Sequence, residues 1–171
     1  MTLPALLHFD TGMTRLGLDR DQANWLIQNR SALDGLDITY VMSHLVSGEV
    51  YDDPTNARQL ASFNELRIGF AGVPASLANS AGCFLGKDYH FQMTRPGIAV
   101  YGVHPLETKL PNLQPVFDWQ ARIIQIRQAA AGDRVGYGGT FELQRHSRIA
   151  TIGVGYADGY RRQLGDKATV S

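Results

Sequence analysis

Four short clusters of polar residues stand out in this sequence, each beside an apolar run of strand length. Arg15 follows the run Leu3–Phe9, and Ser43-His44 follows Ile38–Met42. Asn79-Ser80 follows Val73–Ala78, and Arg95-Pro96-Gly97 precedes Ile98–Tyr101. An arginine fork suits a carboxylate or phosphate. A histidine at a strand end can carry or orient a proton. A Ser hydroxyl beside a glycine-containing turn can cradle an anion, because a chain without a Cβ approaches it closely. Taken singly, each has a plain structural reading. Arg15 fits a surface charge, His44 a satisfied strand-end histidine, Arg95 a structural salt bridge, and Asn79-Ser80 an ordinary helix cap. Four such residues at four successive strand ends point to one shared site.

The elements that must position them follow from the patterning. Asp19-Arg20-Asp21 opens a helix that runs to about Asn29, with Asp as its cap and acid in the first turn. Asp52-Asp53-Pro54 starts a second helix, whose positions Ala57, Leu60, Ala61 and Leu66 roughly follow a helical period. The strand starts near 3, 38, 73 and 98 lie about one strand–helix–strand unit apart. That rhythm predicts parallel strands with crossover helices, either an open doubly wound sheet or part of a β/α barrel. In both, functional residues gather in loops after the C-terminal ends of strands.

The texture changes after Pro111. Trp119–Arg127 alternates imperfectly as a strand does, Gly132-Asp133 reads as a turn, and Ile149–Val154 as a further strand. The expected organisation is therefore an α/β module over 1–111 and an all-β module over 112–171, with the junction in Lys109–Pro115. Half a barrel exposes strand edges and one side of its core. The final residues Ala168–Ser171 read as the opening of another strand. Both ends thus read as interrupted.

Composition narrows the classes. The 171 residues are 44% hydrophobic and 19% charged, an ordinary globular balance. Lys+Arg and Asp+Glu are both 16, so no net charge draws the chain to nucleic acid or an anionic membrane. Of those 16 cations only Lys87, Lys109 and Lys167 are lysine. Cys83 is the single cysteine, which fits a reducing compartment, and no apolar run reaches the length of a membrane span. Without a basic region ahead of an apolar core at the N-terminus, the expected location is cytoplasmic. His90, His104 and His146 lack metal-ligand spacing, so no metal site is expected. Gly136–Gly139 lacks the strand-then-helix context of a dinucleotide loop. Trp25, Trp119 and Tyr101 read as core residues, and Cys83 as a small apolar filler behind the Ser80 loop.

At this point the chain resembles a known family, the alanine racemases, fold-type III pyridoxal-phosphate enzymes. The resemblance rests on five stretches in order. They are His8-Phe9-Asp10-Thr11-Gly12-Met13-Thr14-Arg15-Leu16-Gly17, Ser43-His44, and Leu77-Ala78-Asn79-Ser80-Ala81-Gly82. Arg95-Pro96-Gly97-Ile98-Ala99-Val100-Tyr101-Gly102 and Gly153-Val154-Gly155-Tyr156-Ala157-Asp158-Gly159-Tyr160 follow. It runs from about Leu6 to Arg161. It implies the second half of a (β/α)8 TIM-type barrel followed by the beginning of an all-β domain, in a head-to-tail homodimer. The implied activity is interconversion of L- and D-alanine, which supplies D-alanine for bacterial peptidoglycan. A serine or broad-specificity racemase, or a non-catalytic chain that binds the cofactor or a phosphate, stands as the alternative.

Residue roles are carried over on the matching positions. Arg95 resembles the arginine facing the pyridine nitrogen; a guanidinium keeps its proton and donates without protonating that nitrogen. The ring is then a weaker electron sink. Ser80 resembles the residue that binds the cofactor phosphate, with Asn79 beside it and Gly97 and Ile98 as backbone donors. Tyr156 resembles one of two opposed catalytic bases. His44 resembles the histidine that links this tyrosine to the pyridine arginine, and the tyrosine is expected to enter the partner subunit's barrel. Arg15 resembles the arginine that contacts the substrate carboxylate. Two departures follow. Where the family commonly has a carbamylated lysine that orients this arginine, the chain has His8, so a bound anion or a nearby acid is expected to hold Arg15 instead. The family's Schiff-base lysine matches none of the three lysines, so the 171-residue chain by itself is expected to be inactive.

Overall fold

The computed structural model describes residues 2–107, 113–165 and 167–169. The chain divides into two units, Met1–Phe117 and Asp118–Ser171. The expected junction at Lys109–Pro115 lies largely outside the described residues, as does Lys109 itself.

In the first unit, three parallel strands form one sheet in the order β1 (Leu3–His8), β2 (Leu36–Met42) and β3 (Ala75–Ser76). Parallel neighbours need crossovers, and two helices supply them. α1 (Arg20–Gln28) follows β1, and α2 (Pro54–Ile68) follows β2. Each starts where its cap dictates. Asp19 accepts from the Gln22 N–H at 2.8 Å while the Gln22 side chain accepts from the Asp19 N–H at 3.1 Å, a reciprocal capping box. Asp53 accepts from the Thr55 N–H at 2.8 Å, and Pro54 occupies the first turn, where no amide donor is needed. β2 carries one residue more than β1 in the pairing, between Ala5 and Leu6. Thr39 fills the irregularity by donating its hydroxyl to the Ala5 carbonyl at 3.1 Å.

The core lies between sheet and helices. Phe9, Val41, Leu45, Phe63, Leu66, Phe70 and Leu77 are buried together. Phe9 meets Phe70 with ring centroids 5.6 Å apart, and Phe63 meets Phe91 edge-on at 5.2 Å. These offset arrangements suit the ring quadrupoles. On α2 the buried positions are Asn56, Gln59, Phe63 and Leu66. The expected apolar face through Ala57 and Ala61 is turned outward instead. Half of the inward face is polar, because the loops it covers present backbone groups that need partners.

Two expected strands are corrected. Val73–Ala78 pairs only over Ala75–Ser76. Ile98–Tyr101 is a 3₁₀ turn. The reason lies in the next segment: the Gln92 and Met93 N–H groups donate to the Ala75 carbonyl at 3.1 and 3.3 Å, and the Arg95 N–H donates to the Ala78 carbonyl at 2.9 Å. The free edge of β3 is thus taken by Gln92–Arg95, and residues 98–101 find no ladder. The turn ends at Gly102 (φ +77°), where an added Cβ would lie 2.1 Å from the Gln114 carbonyl oxygen. Tyr101 is 60% exposed and Trp25 57% exposed, so neither is core. Trp25 sits on the helix face turned away from Ala23, which is buried.

The second unit is all β with short 3₁₀ turns. β4 (Ile123–Ala129) pairs antiparallel with β7 (Ser147–Ile152), and β5 (Arg134–Val135) pairs with β6 (Phe141–Glu142). Trp119 is 55% exposed rather than core, and it packs on one side against Tyr160, with centroids 6.1 Å apart. Among the described residues, no helix is long and apolar enough to cross a membrane.

Candidate active site

All strands of the first unit are parallel, so His8, Ser43-His44 and Ser76–Ser80 emerge at the same end of the sheet. The loop after β1 is organised by Asp10. Its Oδ1 accepts from the N–H groups of Gly12, Met13 and Thr14 at 2.9, 2.9 and 3.1 Å. Partial burial pushes this carboxyl up, but the three N–H groups outweigh it and hold it below the ordinary range. The same bonds hold Thr14 in a left-handed conformation, φ +55°. Gly17 (φ +105°) closes the loop against β1, where an added Cβ would lie 2.9 Å from the His8 carbonyl.

Arg95 reaches across the strand ends. Its Nη2 donates to the Ser43 carbonyl at 2.6 Å, and its Nη1 donates to the Ser76 hydroxyl. The Ser76 hydroxyl donates in turn to the Met93 carbonyl at 2.7 Å. The guanidinium is therefore fixed at two points from two strands. Ser80 is buried, and its Oγ accepts from the Gly97 N–H at 2.7 Å and the Ala99 N–H at 3.3 Å. Asn79 ties this turn to the β2 loop: its Nδ2 donates to the Leu45 carbonyl at 3.1 Å, and its Oδ1 accepts from the Gly82 N–H at 3.0 Å.

These residues enclose a cleft of about 480 Å³, lined by His44, Asn79, Ser80, Arg95, Gly97 and Ile98, with Ala81, His104 and Pro105 completing the wall. The volume is in the range of small-molecule sites. Six of the eight residues singled out from the sequence thus share one cleft. Arg15 is exposed and does not line it. Its charge is nevertheless close enough to act on His8 and His44. Tyr156 belongs to the second unit, is 71% exposed, and lines a different cavity with Tyr137, Phe141 and Arg162.

The electrostatics are one-sided. Burial pushes the His44 imidazole below 6.5, and the charges of Arg95 and Arg15 push the same way. Burial and Arg95 likewise lower His8, against the opposing pull of Asp10. Two imidazoles held toward the neutral form, under the charges of the anchored Arg95 and the exposed Arg15, make a site that favours an anion. Among the described residues no acid pairs with Arg15: the two ion pairs are Arg20–Glu65 and Arg134–Glu142. The nearby acid, Asp10, holds the loop that carries Arg15 rather than the guanidinium itself. Cys83 is half-buried behind the Asn79 turn, where its Sγ donates to the Asn79 carbonyl at 3.2 Å, and burial raises its thiol pKa. Lys87 and Lys167 are exposed and outside the cleft.

Sequence reasoning passed over Ser76, Gln59 and the organising role of Asp10. Ser76 lies inside an apolar run, and Gln59 lies on a helix where a polar residue reads as solvent-facing. For Asp10 a signal was available, since Asp followed by Thr-Gly is a turn former.

The alanine racemase N-terminal domain model matches residues 1–105, and the alanine racemase C-terminal domain model matches residues 116–171. The chain is 49% identical over 166 residues to an alanine racemase of Acidiphilium cryptum, covering 97% of this chain and 46% of that protein. It is 46% identical over 169 residues to one of Rickettsia bellii, covering 98% and 41%. In three dimensions it is similar to alanine racemase from Bartonella henselae with covalently bound pyridoxal phosphate. That likeness has a TM-score of 0.80 at 40% identity, over 94% of this chain and 45% of that one. The enzyme from E. faecalis gives a TM-score of 0.82 at 26% identity, over 95% and 46%. The chain spans less than half the length of these relatives. With strand-end residues on a parallel α/β frame, a following β unit, and both family models matched in order, this chain belongs to the alanine racemase family.

Proposed function

We propose that this chain forms the cofactor-phosphate and pyridine-facing part of a pyridoxal-phosphate alanine racemase, with alanine as substrate. The observation that carries the reading is the Ser80–Arg95 cleft. The same cleft is lined by the buried Ser80 hydroxyl, the Gly97-Ile98 turn and a doubly anchored guanidinium. That donor set fits a ligand with a phosphate at one end and a ring nitrogen acceptor at the other. When bound, the cofactor supplies the electron sink that acidifies the α-carbon of an amino acid.

The chain's own residues hold and orient. Ser80, with Asn79 beside it and the backbone of Gly97 and Ile98, would hold the phosphate, which would take the Gly97 N–H from the Ser80 hydroxyl it bonds here. Arg95 donates to the pyridine nitrogen and keeps its proton there. His44, neutral under the influence of burial and Arg95, is free to accept a proton from a phenol. Arg15, on the loop that Asp10 organises, takes the substrate carboxylate. Tyr156 acts as one of the two bases, reaching the barrel of a partner copy in a cytoplasmic homodimer. The second base and the covalent anchor would be a lysine to which none of Lys87, Lys109 and Lys167 corresponds.

Absorbance titration of the chain with pyridoxal phosphate and with pyridoxal tests this reading. The phosphate form is expected to bind the more tightly by at least about tenfold, and Ser80→Ala to remove most of that preference. Equal affinity for the two compounds would overturn the assignment of the cleft. No racemisation of alanine is expected from the 171-residue chain by itself. Alanine turnover by that chain would contradict the assignment of the second base.

A further inference from the structure

Gln59 sits in the middle of α2 and is 1% exposed. A buried carboxamide is costly unless its donors and acceptor are matched, and here all are used. Its Nε2 donates to the His44 carbonyl at 2.9 Å and to the Thr11 hydroxyl at 3.3 Å. Its Oε1 accepts from the Val46 N–H at 2.9 Å. The orientation of the amide is set by chemistry: the Val46 N–H can only donate and the His44 carbonyl can only accept. One planar group therefore joins the loop after β1 to the loop after β2. The connection continues to the cleft, since the Thr11 and Ser43 hydroxyls lie 2.7 Å apart and the Ser43 carbonyl accepts from Arg95. Phe63, one turn along the same face, is fully buried.

We propose that Gln59 is a positioning residue for this site: its carboxamide sets the placement of His44 and of the Arg15 loop relative to Arg95. It does not line the cleft. The proposal rests on the functional reading above for what those three residues do, but the geometry stands without it.

The test compares Gln59→Met and Gln59→Glu with the parent chain. Met keeps the volume and removes all three bonds. Glu keeps an acceptor for the Val46 N–H and turns an oxygen toward the His44 carbonyl. NMR of the unliganded chain follows the His44 imidazole, the Arg95 guanidinium and hydrogen exchange at the Val46 amide, and absorbance follows pyridoxal-phosphate binding. Gln59→Met is expected to shift the His44 and Arg95 signals, to lose Val46 protection, and to weaken pyridoxal phosphate about tenfold. Gln59→Glu is expected to keep Val46 protected while still shifting His44. A role as filler alone predicts a folded Gln59→Met with His44 and Arg95 signals in their parental positions, and that result would overturn the proposal. Should Gln59→Met not fold, Gln59→Glu decides: parental His44 signals in it overturn the proposal equally. If the parent chain does not take pyridoxal phosphate, the functional reading fails and the NMR arms still decide the role of Gln59.

Discussion

Replacing Arg95 by methionine removes a cation of similar reach and tests both of its roles. The guanidinium makes two bonds, to the Ser43 carbonyl at 2.6 Å and to the Ser76 hydroxyl. Hydrogen bonds involving a charged group contribute about 1.5–3 kcal/mol each. Arg95 is only half-buried, so water partly replaces them and the lower figure applies. The loss is then about 3 kcal/mol for the pair, or a fall in Tm of about 6–12 °C for a chain of this size. The second effect is electrostatic. After burial, the Arg95 charge is the largest influence holding both His8 and His44 below 6.5. Native imidazoles with lowered pKa stay neutral where unfolded ones are protonated. The unfolded state then binds more protons below pH 6.5, and stability falls as pH drops through that window. In Arg95→Met both pKa values rise toward 6.5, so the chain is less stable at neutrality but loses less on acidification. Urea denaturation at pH 7.5 and at pH 5.5, with NMR titration of the two imidazoles, reads both effects. Arg95→Lys separates them: it keeps a charge and loses the fork. Unmoved His8 and His44 titrations in Arg95→Met would refute the electrostatic link. A parental Tm in Arg95→Lys would refute the argument from the fork.

Two further predictions concern the frame of the site. Gly102→Ala places a Cβ 2.1 Å from the Gln114 carbonyl oxygen at φ +77° and is expected to cost about 2–4 kcal/mol in urea denaturation. Phe63→Ala empties the space beside Phe91, one turn from Gln59 on α2, and is expected to destabilise by about 3–5 kcal/mol, with faster exchange at the Val46 amide as its local signature.

The starts of α1 and α2 were legible because Asp19 and Asp53-Pro54 act within one turn of themselves. The alternation of strands and helices was legible for the same reason: periodicity is a local property. The ordered motifs from His8 to Tyr160 identified the family, and six of the residues they named line one cleft. The sequence by itself therefore determined the family, the parallel frame and six of the residues that line the cleft. Only the tertiary structure decided which edge the last segment takes. Gln92–Arg95 occupies the edge of β3, and Ile98–Tyr101, apolar and β-prone, coils for want of a partner. Only the fold turns Gln59 inward and Trp25 outward, against the hydropathy of both. The physical reason is shared: a polar side chain is buried when backbone groups from distant loops need partners, and an apolar one stays exposed when nothing packs against its face. Hydropathy along the chain records neither condition, because both depend on residues brought together by folding.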